Sequence, residues 1–310
     1  MTRERVHEVA PGVLRIIAPL PFPDPATINC YVISTPEGDV LVDPGMIGSE
    51  EAIDGGLAEM GRQPRQVLIT HGHPDHFGLA GRYGDLVWAH PDALEQTEMA
   101  TAAEPDPTMQ GALSGRDVDT DSMAMMFALI AKLTVPLPPA RHLEDGDRIG
   151  EWQALLTPGH APGHLCLYRE RDRVLLVGDI LLPETTPNLH LTRTMRDAVS
   201  DFIASLERLA ELEISLVLPS HGEPFTDAAG RAAQLIAHHE RRLQRLIDEL
   251  AEGPRSEGDL TSALFGHLEV SDHIVMAHME THAHLEHLRL RDRIGFEEPD
   301  IWSLASSRVG

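Results

Sequence analysis

Two cysteines in 310 residues, Cys30 and Cys166, are too few for a disulfide framework. They stand far apart and form no C-x-x-C pair, so both read as small buried apolar side chains. Lysine occurs once, at Lys132, and the other basic residues are arginine. That bias points to nucleotide composition more than to a mechanism. Positive charge is scarce: 25 Lys and Arg face 49 Asp and Glu, a net charge of −24. This deficit argues against nucleic acid or an anionic membrane as a main partner, because both require a basic footprint. No run of about 18 apolar residues exists, so no transmembrane helix is expected. The opening "MTRERVHEVAPGVLRI" has no unbroken apolar stretch of the kind a secretory signal needs, and the cytoplasm is the expected location. There is no low-complexity segment and no internal repeat.

What is present is enough apolar residue, 42%, for a real core, on a length that fits one large domain or two. Short apolar runs bounded by Gly, Pro and Asp predict strands at 13–17, 29–33, 40–43, 66–70, 86–89, 153–157, 165–169, 174–178 and 215–219. Between them, Ser49–Met60 predicts a helix with a serine N-cap and acids in its first turn. Asp201–Leu212 carries Phe202, Leu206 and Leu209 at helical spacing. A β-rich chain with interposed helices fits sheets covered by helices on their outer faces. Residues 92–140 form a Met-rich helical insertion ended by prolines, expected to act as a cap lining a pocket. From about 227 the pattern turns helical, with Asp227 as the cap of a long helix through Leu250. This gives an expected hydrolase unit over 1–226 and a helical, winged-helix-like unit over 227–310.

The densest chemistry lies in "THGHPDHFG", which follows an apolar run and holds His71, His73, Asp75 and His76. Three further signals close apolar runs: His160 in "TPGHAPGH", Asp179 in "LLVGD" and His221 in "LPSHG". Strand ends converging on one edge are a common place for a site on a rigid scaffold. Imidazole and carboxylate suit borderline metals, and a catalytic metal keeps one position open. Five histidines and two aspartates are too many for one catalytic zinc and suit two metals about 3.5–4 Å apart with a bridging carboxylate.

On these motifs the chain resembles the metallo-β-lactamase-fold hydrolases over roughly residues 8–225. The resemblance implies an α+β, αββα sandwich of two mixed sheets with helices outside. It implies that His71, His73 and His160 hold one metal, that Asp75, His76 and His221 hold the other, and that Asp179 bridges them. Asp75 is also assigned a catalytic role. The cofactors expected are two divalent ions: zinc, with iron and manganese tolerated by the same ligands. A water between two cations loses its proton near neutral pH and attacks a carbonyl or phosphoryl centre. The C-terminal part is similar to the winged-helix extension of a subgroup of the superfamily.

Departures from branch patterns narrow the substrate. The β-lactam-hydrolysing branch usually lacks the bridging aspartate, which is present here as Asp179. The diiron oxygen-reducing branch has an acid where His73 stands. Quorum-signal lactonases usually carry a tyrosine three residues after the bridging aspartate, and here that residue is Leu182. A thiolate, from a thiol of pKa about 8.5, leaves with little help from an acid. An acyl thioester or activated ester is therefore the expected small-molecule substrate, as in hydroxyacylglutathione hydrolase. A lactonase and a single-strand ribonuclease are the alternatives. The ribonuclease needs a basic phosphate-tracking surface that a charge of −24 opposes. A regulatory winged helix would need a basic recognition helix, and "MAHMETHAHLEH" offers histidines and acids. Arg193, Arg196, Arg241 and Arg242 are candidates for meeting an anionic thiol carrier. A homodimer is left open.

Other histidines are expected to be structural. His164 should support the site from behind and His90 should pack at a strand end. His278, His282, His284 and His287 should lie on an exposed helix face opposite Ile274, Ala277, Leu285 and Leu288. The proline-rich loop 19–29 is expected to form one lip of the site.

Overall fold

The computed structural model describes residues 6–101, 128–129, 131–267, 271–297 and 300–305. Most of the expected cap, including Met123–Phe127, lies outside the described residues. Its first part forms helix α4.

Two sheets make the body of the molecule. The first takes its strands in chain order: Val6–Ala10 (β1), Val13–Pro19 (β2), Thr27–Thr35 (β3), Gly38–Val42 (β4), Gln66–Leu68 (β5), Leu86–Ala89 (β6) and Ala140–His142 (β7). It is antiparallel from β1 to β4 and parallel from β4 to β7. Arg148–Ile149 (β8), Trp152–Leu156 (β9), Leu165–Arg169 (β10), Val174–Gly178 (β11) and Leu216–Pro219 (β12) form the second sheet, where only β11 and β12 run parallel.

The sheets face each other across Val13, Tyr31, Ile33, Val40, Val42 and Leu68 from one side and Trp152, Ala154, Leu165, Leu167, Leu176 and Leu218 from the other, all buried. Period-2 alternation decides this: Ile33 and Tyr31 point into the seam, while Val32 and Cys30 point outward beneath helices. Helices Glu50–Glu59 (α1), Pro74–Phe77 (α2) and Ala80–Tyr83 (α3) cover the outer face of the first sheet, and Pro91–Thr101 (α4) lies beside them. Ala198–Ala210 (α5) and the first half of Ala228–Ala251 (α6) cover the second sheet. The result is an α+β, αββα sandwich, and both cysteines are free and buried in it.

Ser49 does not cap α1 with its side chain; buried, its hydroxyl donates to the Pro19 carbonyl at 2.8 Å instead. Asp227 caps α6 as expected, its carboxylate accepting from the Gly230 N–H at 2.9 Å.

After α6 come Glu257–Phe265 (α7), Ser271–Arg289 (α8) and a small sheet ordered β13-β15-β14, built from Arg255–Ser256 (β13), Ile294–Glu297 (β14) and Ile301–Leu304 (β15). Leu246, Leu250, Leu260, Leu285, Leu288, Ile294 and Trp302 form their shared core. The histidines of α8 depart from expectation. His278, His284 and His287 are buried and His282 is half-buried. Helix α8 packs against α5, α6, α7 and β14, so it has little polar face to offer water. His282 meets Glu257 and His287 meets Asp197, at 3.0 and 2.8 Å, and these partners offset the cost of burial.

Candidate metal centre

All seven predicted side chains meet at one edge of the sandwich. Four follow β5: His71 and His73 lie in the turn beyond it, and Asp75 and His76 lie on the single turn of α2, where Pro74 supplies the first helical position. The other three follow strands of the second sheet: His160 after β9, Asp179 directly after β11 and His221 after β12. The site therefore straddles the seam between the sheets.

The geometry falls into two groups joined by Asp179. His73 Nδ1 lies 2.9 Å from His71 Nε2 and 3.0 Å from His160 Nε2. Asp75 Oδ2 lies 3.2 Å from His221 Nε2 and 3.6 Å from His76 Nε2. Asp179 Oδ2 stands between them, 3.5 Å from His76 Nε2, 3.5 Å from His221 Nε2 and 3.7 Å from His160 Nε2. The seven side chains named from the sequence are thus brought within reach of one another.

Hydrogen bonds on the outward sides assign the tautomers. His71 Nδ1 donates to Thr70 Oγ1 at 3.0 Å, His76 Nδ1 to Asp43 Oδ2 at 2.9 Å, His160 Nδ1 to the Asn188 carbonyl at 3.0 Å and His221 Nδ1 to the Thr27 carbonyl at 2.8 Å. Each Nε2 then faces inward. At most one proton fits among His71, His73 and His160, whereas a cation satisfies all three nitrogens. His76 Nε2 and Asp179 Oδ1 are buried without a hydrogen-bond partner, so each has capacity for a metal. The donor set fits divalent cations.

Electrostatics agree. Burial, then mutual repulsion, lowers His71 and His73 well below the ordinary imidazole range, and burial lowers His160 too, so these rings stay neutral. Burial also opposes charge on His76 and His221, but carboxylates outweigh it. Asp75, Asp179 and Asp43 raise His76, and Asp179 and Asp75 push His221 up to about 10. Although burial works against it, His76 and His221 bring Asp75 down to about 2, and the same two histidines lower Asp179. A field that holds protons this firmly also favours metal cations in their place.

His164 supports the centre from behind. Its Nδ1 donates to Thr157 Oγ1 at 2.9 Å and its Nε2 accepts the Asp179 N–H at 3.1 Å, while burial lowers its pKa to about 3. Gly178, at φ 51°, makes this approach possible: a Cβ there would sit 2.5 Å from His164 Nε2. His90 accepts the Asp92 N–H at 3.2 Å, beyond β6, and takes no part among the seven. Loop 19–29 reaches the site at Thr27, whose carbonyl holds His221.

Four contributors escaped the sequence reading. Asp43 ends the run "VLVD" and accepts from Thr70 N–H, Thr70 Oγ1 and His76 Nδ1. Asn188 holds His160 through its main chain. The ring of His190 stacks on His73 at 5.9 Å. Asn29 ties the sheets together beside His221, its amide donating to the carbonyls of Pro219 and Gly222 at 2.9 and 2.7 Å. Only Asp43 left a sequence signal, an acid closing an apolar run next to "PG".

A second cluster lies away from the edge. Ligand-type atoms of His239, Glu280 and His284 all fall within 4.8 Å of one another. His284 Nδ1 donates to the Glu280 carbonyl at 2.7 Å, and its Nε2 accepts from His239 Nδ1 at 3.0 Å, while His239 Nε2 is buried without a hydrogen-bond partner.

Comparison with known proteins shows the family and the fold. Residues 23–221 match the family model described as the metallo-beta-lactamase superfamily. The lactamase-like protein adaB of Aspergillus niger is 25% identical over 72% of this chain, and the match spans 58% of that protein's length. An atrochrysone carboxyl ACP thioesterase of Passalora fulva is 27% identical over 83% of this chain and 68% of its own. A solved structure of a beta-lactamase domain protein from Burkholderia ambifaria superposes with a TM-score of 0.83 at 30% identity, covering 97% of this chain and 94% of that one.

Proposed function

The chain belongs to the metallo-beta-lactamase superfamily, and from that premise we propose that it is a two-metal hydrolase of acyl thioesters or similarly activated esters. The observation that carries the reading is the convergence of seven donors into two triads sharing Asp179, with the proton-bearing nitrogens turned away. Two divalent cations there, zinc in our reading, would supply a water deprotonated near neutral pH and positive charge for a developing oxyanion.

His71, His73 and His160 would hold one ion, Asp75, His76 and His221 the other, and Asp179 both. Asp75 would also help to orient an attacking water, the catalytic role assigned to it. The chain's own residues keep the ligand lone pairs oriented and burial keeps bulk water from competing. Three residues after Asp179 stands Leu182, a buried apolar side chain with no proton to give a leaving group. A thiolate tolerates that lack better than an alkoxide does. The Passalora fulva relative's thioesterase name supports the same class. We take nucleic acid to be no partner, given the charge of −24. Among the described residues, no helix is long and apolar enough to cross a membrane.

The test is turnover by metal-replete protein of an acyl-glutathione, an acyl-coenzyme A, an acyl-homoserine lactone, a β-lactam and a single-stranded RNA. Preferred cleavage of either thioester supports the proposal. Preference for the lactone or the RNA replaces it with that alternative.

A further inference from the structure

His160 differs from the other oriented ligands in what holds it. His71, His76 and His221 donate to residues at the edges of the first sheet: Thr70, Asp43 and Thr27. His160 donates to Asn188, which lies in the stretch between β11 and α5 with no helix or strand of its own. Such a stretch holds a carbonyl in place only if something else fixes it. Here the fixing comes from the C-terminal helices. The Asn188 amide donates to Glu280 Oε2 at 3.0 Å and to the Met276 carbonyl at 3.1 Å, both on α8. Glu280 is 5% exposed, and its other oxygen, Oε1, accepts from the Arg242 guanidinium of α6. Burial raises the Glu280 carboxyl to about 6, opposed by Arg242 and Asn188.

We propose that Glu280, fixed by Arg242, is a positioning residue that acts through Asn188 to set the orientation of His160, so that the C-terminal helices complete the first metal subsite. The proposal rests on the reading of His160 as a metal ligand. It also accounts for Glu280 without a third metal. Both of its carboxylate oxygens are occupied, and the adjacent His239 and His284 rings bond to each other with Arg242 as a neighbouring cation. A chain of contacts from α6 through α8 to a ligand is a means for orienting groups to tune metal affinity, by about 10- to 100-fold where such partners are removed.

The test uses full-length apo-protein titrated with cobalt(II) against a chelator, together with nitrogen-15 NMR of the His160 ring. Asn188→Ala leaves the main-chain carbonyl but removes its anchor. Asn188→Ala and Glu280→Ala are expected to weaken one of two cobalt-binding steps by about 10-fold and to broaden or shift the His160 Nδ1–H signal in the metal-free protein. Glu280→Gln, which keeps a carbonyl for Asn188, should lose less. The Asn188→Ala/Glu280→Ala pair should be no weaker than Glu280→Ala alone, since both act on one path. Leu260→Ala, in the C-terminal core away from this path, should lower the melting temperature and leave cobalt affinity unchanged. If His160→Ala binds cobalt like the wild type, the reading of His160 as a ligand fails, and the proposal with it. If His160→Ala loses cobalt but folded Asn188→Ala and Glu280→Ala match the wild type in affinity and ring signal, the proposal alone is overturned. Loss of a third cobalt in Glu280→Ala, with His160 unaffected, would also overturn it and make Glu280 a ligand in its own right.

Discussion

Replacing Asp43 with asparagine should disarm the metal centre without touching a ligand. Asp43 is 1% exposed and carries four donors: Thr70 N–H at 2.8 Å on Oδ1, and Thr70 Oγ1 at 2.8 Å, His76 Nδ1 at 2.9 Å and Ser220 Oγ at 3.3 Å on Oδ2. Asparagine keeps the size and tolerates the left-handed backbone, φ 52°, that Asp43 adopts. One of the two terminal positions, however, becomes an NH2. With the Thr70 N–H fixed on the first oxygen, the NH2 faces His76 Nδ1. His76 then turns acceptor there and carries its proton on Nε2, the nitrogen aimed at the metal. The Thr70 hydroxyl, which accepts from His71 Nδ1 while donating to Asp43, loses its acceptor at the same time. Two ligands from different triads are therefore affected. Losing an orienting partner of this kind costs about 10- to 100-fold in metal affinity, or about 1.4–2.7 kcal/mol per site. Chelator competition with zinc and elemental analysis after dialysis are the assays, with far-UV circular dichroism to confirm folding. A folded Asp43→Asn protein that retains two metals at wild-type affinity would refute the reasoning. Asp43→Ala is the poorer variant, because alanine adds backbone strain of about 1–2 kcal/mol at positive φ.

Asp179→Ala should leave one metal per chain and little activity, because among the described residues no other carboxylate is placed between the two triads; elemental analysis giving two would contradict this. Asp197 caps α5 and also meets His287 and Arg291, and although burial opposes it, these partners hold its carboxyl below the usual range. Since the folded pKa is depressed, the stability it contributes is complete above about pH 4, the unfolded value, and is lost as pH falls below it. Urea unfolding should therefore show wild type and Asp197→Asn differing by about 0.5–1 kcal/mol at pH 7 and converging as the pH falls through the acid range. Alanine substitution across Met123–Phe127 should change KM between short and long acyl chains and leave metal content intact; a uniform effect would mark the segment as scaffold. Labelled single- and double-stranded oligonucleotides should not bind at about 50 mM salt, the regime favouring phosphate contacts, and tight salt-sensitive binding would promote the ribonuclease reading.

The seven donors were legible because metal chemistry restricts residue type and because each follows an apolar run that reads as a strand. The groups behind them were not, since each acts on a partner far along the chain: Asp43 on His76 at a separation of 33, Asn188 on His160 at 28, Glu280 on Asn188 at 92. Nothing local in "PNLHL" marks an asparagine whose carbonyl holds a ligand. The central strands were readable from their apolar runs, whereas β7, with all three residues exposed, and the two-residue β8 and β13 carry no period to detect. Helix α8 misled for a different reason. Helical periodicity reports burial only when a helix has one wet face, and α8 is enclosed by α5, α6, α7 and β14, so its histidines pair with Thr261, Glu257, His239 and Asp197 inside the protein.

The placement of the donors on both sides of the seam makes metal occupancy a form of adhesion. Four arrive with the first sheet and three with the second, so neither sheet alone offers a complete set for either triad plus the shared carboxylate. Ion uptake and closure of the sandwich at this edge are one equilibrium, and free metal at about 100 times its dissociation constant would add about 2.7 kcal/mol to that closure. Away from the edge the seam is held by Trp152, Tyr31 and their apolar neighbours, which need no ion. Chelation should therefore part the two layers like a book opened along one margin, with amide exchange rising first at the ends of β5, β11 and β12 while the spine stays shut.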